Sequence, residues 1–346
     1  MPGESIYASL PASKHEAVAE AIRKTFGSEA SVSLTPLHGG YSGAPVLKLT
    51  VAGQPHVLRV IHAPSPLNDP KRHFACMTTA AEQGIAPPVL FADAQTGVCI
   101  TGFIDTQPLR PALQADSSQV AHFGELLRRL HTGPAFPVFL DGLQMIQGGV
   151  GTLVGAKYPI PELVQTFLTR FETVQTALRP HLTLAPCHND LNPNNLLFDG
   201  TRLWLVDWET ACMGDPYMDL TTTLLWFGFS PEQEDTLLRA YWGAAPTPWQ
   251  RARLEVTRQV SRCFYAVVFL LVALQNGQRP PATLPSREQL PSWPEARRAM
   301  GTSTLADHGP DFRFRLSLVL AKDSLDAMER PEFAQALQLL ETARAP

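Results

Sequence analysis

The sequence is poor in charge, in cysteine and in long apolar runs. Charged residues make up 17% of its 346 positions against 45% apolar. That balance can bury sizeable cores and excludes a disordered or coiled-coil chain. Basic charge is in no excess, with 28 Lys+Arg facing 32 Asp+Glu for a net charge of −4. The broad positive field behind nonspecific nucleic-acid binding is therefore missing, and no nucleic-acid partner is expected. The five cysteines (Cys76, Cys99, Cys187, Cys212, Cys263) are odd in number, scattered and never in a CxxC pair. That argues against a disulfide framework or a thiolate zinc site and for a reducing compartment. The longest apolar run, residues 263–274, is too short to span a bilayer, and the N-terminal stretch has acidic residues and no signal-peptide core. A cytoplasmic protein with no membrane partner is expected.

Two nucleotide motifs are also missing, the Walker A sequence and a true GxGxxG. Gly149, Gly151 and Gly155 fit only a relaxed GxGxxxG with no clear strand ahead of them, and that stretch reads as a flexible loop. A dinucleotide-dependent enzyme built on those glycines is the weakest reading. No internal repeat and no long charge block occur.

What is present divides in two, as the length allows. Residues 14–26 have helical spacing and end at Gly27. Residues 31–61 then form short β-type runs, SVSLTPL, PVLKLTV and HVLRVI, as in a three-stranded meander. Asn68 can cap a helix over about 69–83, and the runs PPVLFA and GVCITGFI follow. After residue 104 the chain turns mainly helical, around residues 120–131, 160–178, 250–275, 312–328 and 331–344. One island interrupts it, NNLLFDGTRLWLVDW, two strands about the Asp199-Gly200 turn. Five prolines between 279 and 294 mark a loop or lid. The expected division is 1–104, a small antiparallel-sheet lobe, and 105–346, a helical lobe.

The richest segment is residues 187–196, CHNDLNPNNL, followed by residues 205–209, LVDWE. In outline it is H-x-D-x-x-x-x-N, a hairpin, then an aspartate at a strand end. Phosphoryl transfer from ATP needs those types at that spacing: one carboxylate to orient the acceptor hydroxyl, and a carboxamide plus a second carboxylate to hold Mg²⁺. A hairpin between Asn195 and Asp207 brings the two metal ligands side by side. The turn LHGGYSG, with Gly39, Gly40 and Ser42, lies between two strands, where backbone N–H groups can approach phosphate oxygens.

The run PCHNDLNPNNLL…LWLVDWETACMGDPYMDL resembles the aminoglycoside-phosphotransferase/choline-kinase superfamily of small-molecule kinases, closest to its bacterial choline-kinase-like branch. The match extends in order over roughly residues 35–245. It implies a bilobal, protein-kinase-like α+β fold using ATP and Mg. By that resemblance Asp190 is the catalytic base, Asn195 and Asp207 are the metal ligands, and His188 and Asp219 are scaffold of the catalytic loop. Gly39, Gly40, Ser42 and Arg59 face the phosphates, and Phe103, in the hinge segment 101–104, lies by the adenine. Arg59 stands where a phosphate-binding lysine is usual, with Lys48 a poorer substitute. The helix position that normally offers its Glu partner is His73, so Arg59 must be held by another acid. Without one, the chain would be a non-catalytic nucleotide-binding protein on the same fold, a reading the intact Asp190, Asn195 and Asp207 argue against.

The acceptor is less legible. Between residues 188 and 235 nine acidic residues face one basic residue, Arg202, which favours a cationic small-molecule acceptor. Glu232, Glu234 and Asp235 read more simply as the solvated start of a helix. Glu209 is open between a supporting carboxylate and one on the substrate side. All six tryptophans follow residue 203. Aromatic faces such as Trp226 and Trp242 can cage a quaternary ammonium, although each reads as core before cage. A choline- or ethanolamine-like amino alcohol leads, with aminoglycoside, thiamine, homoserine-type and sugar acceptors open. A homodimer is compatible with the chain.

Overall fold

The computed structural model describes residues 7, 9–27, 31–37, 45–300 and 311–342. In chain order its elements are α1 (His15–Phe26), β1 (Val32–Pro36), β2 (Val46–Val51), β3 (Gln54–Val60), α2 (Pro70–Glu82), β4 (Val89–Asp93), β5 (Val98–Gly102), α3 (Leu109–Ala115), α4 (Ser117–His131), α5 (Gly142–Gly155) and α6 (Glu162–Leu178). Then follow β6 (Ala185–Cys187), β7 (Leu196–Phe198), β8 (Leu203–Leu205), β9 (Cys212–Gly214), α7 (Pro216–Phe227), α8 (Pro231–Trp242), α9 (Pro248–Gln275), α10 (Trp293–Met300), α11 (Phe312–Met328) and α12 (Pro331–Thr342). A small antiparallel sheet with a predominantly helical remainder is the α+β class expected.

Packing does not divide the chain at residue 104. One compact unit comprises Met1–Val138 and Pro186–Met213, the other Phe139–Ala185 and Gly214–Pro346. The catalytic-loop segment and its hairpin thus belong with the sheet.

In the first unit five strands pair in the order β1-β2-β3-β5-β4, every pairing antiparallel. Strand β2 alternates half-buried and buried residues, as a strand with one face on a core must. Its inward Leu47 and Leu49 join Leu58, Val60 and Ile100 of the neighbouring strands and Val18 and Ile22 of α1 in one buried cluster. Helix α2 is capped by Asp69, whose carboxylate accepts from the Lys71 and Arg72 N–H groups, and not by Asn68 as expected. Pro70 explains the shift of one residue. It lacks an N–H and suits the first helical position, which makes the residue before it the cap. Asn68 instead closes a turn with Ser65. The β7–β8 hairpin forms about Asp199 and Gly200 as predicted. Gly200 has φ +97°, and the Asp199 carboxylate accepts from the Thr201 and Arg202 N–H groups.

The second unit is built around α9, whose buried residues run its whole length from Trp249 to Ala273. By length and composition it is the one described helix apolar enough to cross a membrane, yet 67% of that apolar window is buried inside the fold. Helices α5, α6, α7, α11 and α12 pack against it. Residues 149–155, expected as a flexible loop, are the second half of α5, which starts at a capping box between Asp141 and Gln144. The glycine serves packing: a Cβ on Gly149 would stand 2.7 Å from Val267 Cγ1 and 3.1 Å from Leu271 Cδ1. The proline-rich stretch is irregular apart from one turn at Arg287–Gln289, until α10 begins at Trp293.

Candidate active site

Strand β3 delivers Arg59 to the end of the sheet, opposite Val46 on one side and Cys99 on the other. Its guanidinium meets two carboxylates from the segment after β8. Arg59 Nη1 is 2.8 Å from Asp207 Oδ1, and Nη2 is 3.2 Å from Glu209 Oε2. The acid missing from α2 is therefore supplied 150 residues later in the chain. His73, at the position where a glutamate partner was sought, is buried and held well below its ordinary pKa. Burial is the main cause, helped by Arg59, Arg72 and His188. A cationic ring there would be a third positive charge beside two guanidinium groups.

Residues 190–195 are tied to one another by side-chain hydrogen bonds. Asn195 Nδ2 donates to both the Asp190 carbonyl and Asp190 Oδ2, each at 2.9 Å, and Asn192 Nδ2 donates to the same Oδ2 at 3.1 Å. His188 is fully buried, with Nε2 2.9 Å from the Val206 carbonyl and its ring 4.8 Å from that of Trp208. Since a carbonyl only accepts, Nε2 carries the proton and the ring braces the loop. Val206 N–H in turn donates to the Asn195 carbonyl at 3.0 Å. Asn189 (φ +64°) and Asp207 (φ +66°) both occupy the left-handed region, which Asn and Asp enter more readily than other side-chain-bearing residues. Asn189 is fixed there by donating to the Thr210 carbonyl.

Arg72 is a residue that sequence reasoning missed. It is buried and spends its guanidinium on three carbonyls, Pro66 (2.9 Å), Leu67 (2.7 Å) and Glu209 (2.7 Å). Cys76 Sγ, one turn on, donates to the Ala211 carbonyl. Helix α2 thus holds the backbone of residues 209–211 in place. Backbone acceptors leave no mark in a sequence; the one available signal was an arginine on the buried face of a helix.

Charge here is unbalanced. Arg59 faces Asp207 and Glu209, and Asp190 lies within electrostatic reach of Glu209. Burial first, then Asp207 and Asp190, push the Glu209 carboxyl up to about 7, against the pull of Arg59 and Arg72. Among the described residues, none donates an aligned hydrogen bond to the buried Asp207 Oδ1. With Asn195 Nδ2 committed to Asp190, the free coordinating atom of that carboxamide is Oδ1. A carboxylate and a carboxamide oxygen are the hard donors a magnesium ion takes, so these residues fit the ion.

The other expected residues lie as follows. Gly39, Gly40 and Ser42 fall outside the described residues. Phe103 follows the end of β5, with Lys48 Nζ 4.8 Å from its ring centroid, so Lys48 is engaged there. Asp219 is fully buried in the first turn of α7. Trp226 packs edge-on against Tyr265 (5.1 Å) and Trp293 (5.3 Å), whereas Trp242 contacts Tyr217 and Tyr241. The two tryptophans thus belong to separate aromatic groups. Much of the acidic excess is also paired: Asp215 with buried Arg253 (2.7 Å), Glu234 with Arg258 (2.5 Å), and Asp235 with Arg239 and Arg251. Around Arg59, two carboxylates share one guanidinium.

Known proteins match this arrangement. A family model described as the phosphotransferase enzyme family matches residues 33–255. Protein LicA of Haemophilus influenzae is 29% identical over 215 residues, which cover 59% of this chain and 61% of LicA, so the chain spans less than two thirds of that relative. The crystal structure of a choline/ethanolamine kinase family protein from Mesorhizobium loti superposes with a TM-score of 0.71 at 25% identity, covering 96% of this chain and all of that one. A crystal structure of LicA in complex with AMP shares the fold at 18% identity and a TM-score of 0.58, over 75% of this chain and 90% of that one. The motif run through residues 187–220 and these matches agree: the chain belongs to the phosphotransferase enzyme family.

Proposed function

We propose that the protein is a small-molecule kinase that transfers the γ-phosphoryl group of ATP to a hydroxyl of an amino alcohol of the choline or ethanolamine kind. The observation that carries this reading is the cluster in which Asp207 and Glu209 share the Arg59 guanidinium, Asp190 acts electrostatically on Glu209, and the Asn195 carboxamide is locked beside Asp190. Asp190 orients the acceptor hydroxyl and takes its proton as the new O–P bond forms and the bond to the leaving ADP oxygen breaks. Asn192 and Asn195 hold its Oδ2, so the carboxylate is fixed before the acceptor enters. Asn195 and Asp207 would hold Mg²⁺, which when bound neutralises charge on the phosphates. Arg59 is the phosphate-side cation, kept in place by Glu209. The amino-alcohol acceptor draws its support from the choline/ethanolamine kinase family relative. The chain's acidic excess adds little, because Asp215, Glu234 and Asp235 are spent on arginines.

A thermal shift series tests the reading. ATP with magnesium should raise the melting temperature, and choline or ethanolamine added to that mixture should release ADP. No shift with nucleotide and no acceptor-dependent ADP over a panel of amino alcohols would sink it. A shift without ADP release from any acceptor would leave a nucleotide-binding protein that does not catalyse.

A further inference from the structure

The second unit contains a partly open pocket of about 180 Å³ that the proposed reaction does not use. Its walls come from α7, α8, α9, α10 and α11, and its polar lining is dominated by Arg258, Arg262 and Arg297, with Glu234 and Asp323 as the acids. The guanidinium groups are not equivalent. Arg258 is neutralised by Glu234 at 2.5 Å and Glu255 at 3.6 Å. Arg297 lies across Gly228, donating to the Phe227 carbonyl at 2.9 Å. A Cβ on Gly228 would overlap that guanidinium, and the residue's φ of +58° also favours glycine.

Arg262 is different. It donates Nη1 to the neutral amide oxygen of Gln259 at 3.0 Å, its buried Nε has no hydrogen-bond partner, and among the described residues no carboxylate lies within ion-pair reach of it. Asp323, the nearest acid on the lining, already accepts from the Trp293 N–H at 3.0 Å. Both residues are half-buried; burial is the main cause that raises the Asp323 carboxyl and lowers the Arg262 guanidinium, and each charge opposes the other's shift. Half-buried Arg262, with one neutral acceptor and an idle Nε, keeps donors to spare on a lining where three arginines face two acids, and such a fork suits an incoming anion.

We propose that this cavity binds a small oxyanion, a carboxylate or phosphate group, held by the fork of Arg262 and flanked by Arg297. The fork geometry of arginine matches two oxygens of either group, and the volume admits one such group with its waters. The site is independent of the proposed kinase reaction, so its test does not depend on that reading.

Inorganic phosphate and, in a separate series, acetate are titrated calorimetrically into the full chain. One of the two is expected to bind saturably with one site per chain, and the tighter of the two identifies the class. Arg262→Gln should weaken that binding at least about tenfold while leaving any ADP-forming activity unchanged. Asp323→Asn removes the acid on the lining and should tighten binding, an arm that stands even if the arginine variant folds poorly. Binding of neither anion overturns the proposal. So does binding that is the same in Arg262→Gln, or that weakens in Asp323→Asn.

Discussion

Two ion-pair sites show how similar chemistry serves different ends. In the second unit, Arg253 and Asp215 are one base and one acid, 2.7 Å apart, with side chains 3% and 11% exposed. Arg253 also stacks 4.0 Å above the Tyr217 ring, and Asp215 caps α7 by accepting from the Tyr217 N–H. The two charges there are matched one to one. Around Arg59 in the first unit, by contrast, Asp207 and Glu209 share one guanidinium with Asp190 close by, and Arg72 spends itself on carbonyls. Charge alone does not mark a functional site; the uncompensated part of it does. A surplus of buried carboxylate is stable only if a proton or a metal cation completes it.

The comparison can be broken first at its catalytic end. Asp190→Asn should leave the fold intact and lower turnover by about 10²–10⁴-fold, read as ADP release per folded molecule. The structural pair should respond in the opposite sense. Asp215→Ala strands the Arg253 charge in the interior and should cost about 3–5 kcal/mol in urea unfolding, while turnover of the folded fraction changes far less than in Asp190→Asn.

Between these extremes lies Arg72→Met. It removes the partner of three carbonyls and should cost about 2–3 kcal/mol, and it should also raise the magnesium concentration needed for half-maximal rate, because residues 209–211 lose their anchor. A stability loss without any change in magnesium dependence would make Arg72 a packing residue only.

The smallest effect concerns pH. Burial, with the Asp207 charge beside it, pushes the Glu209 carboxyl up to about 7 from an ordinary 4.5. The folded chain therefore keeps a proton there that the unfolded chain has released, and stability falls as pH rises from about 4.5 to about 7. In metal-free buffer the unfolding free energy of the wild type should lose about 1–2 kcal/mol more across that window than that of Glu209→Gln. Parallel curves for the two proteins would show that Glu209 is ionised throughout.

The parts legible in the sequence are those whose signal is local. Asp190, Asn195 and Asp207 sit in a short segment whose hairpin is dictated by Asp199-Gly200, and the strands of the sheet announced themselves by alternation. The acid that holds Arg59 was sought on α2, because sequence places partners by analogy of position. It comes from Glu209, a contact across 150 residues that no periodicity encodes. The Arg72 anchor is invisible for a related reason, since its acceptors are backbone carbonyls. The 149–155 glycines look like a loop in sequence because glycine signals both a loose backbone and a close approach. Only the packing of α5 on α9 decides between them. The acidic excess after residue 188 was visible as a number, but its meaning depended on which arginines fold back onto it.

The central claim is that the carboxylate surplus around Arg59 is a phosphoryl-transfer site with Asp190 as its base. Phosphorus-31 NMR of the full chain with ATP, magnesium and choline or ethanolamine tests it most directly. The account predicts loss of the γ-phosphoryl resonance matched by growth of a phosphomonoester signal, at a rate about 10²–10⁴-fold slower in Asp190→Asn. Phosphomonoester formed as fast by Asp190→Asn as by the wild type, or none formed by either, would contradict it.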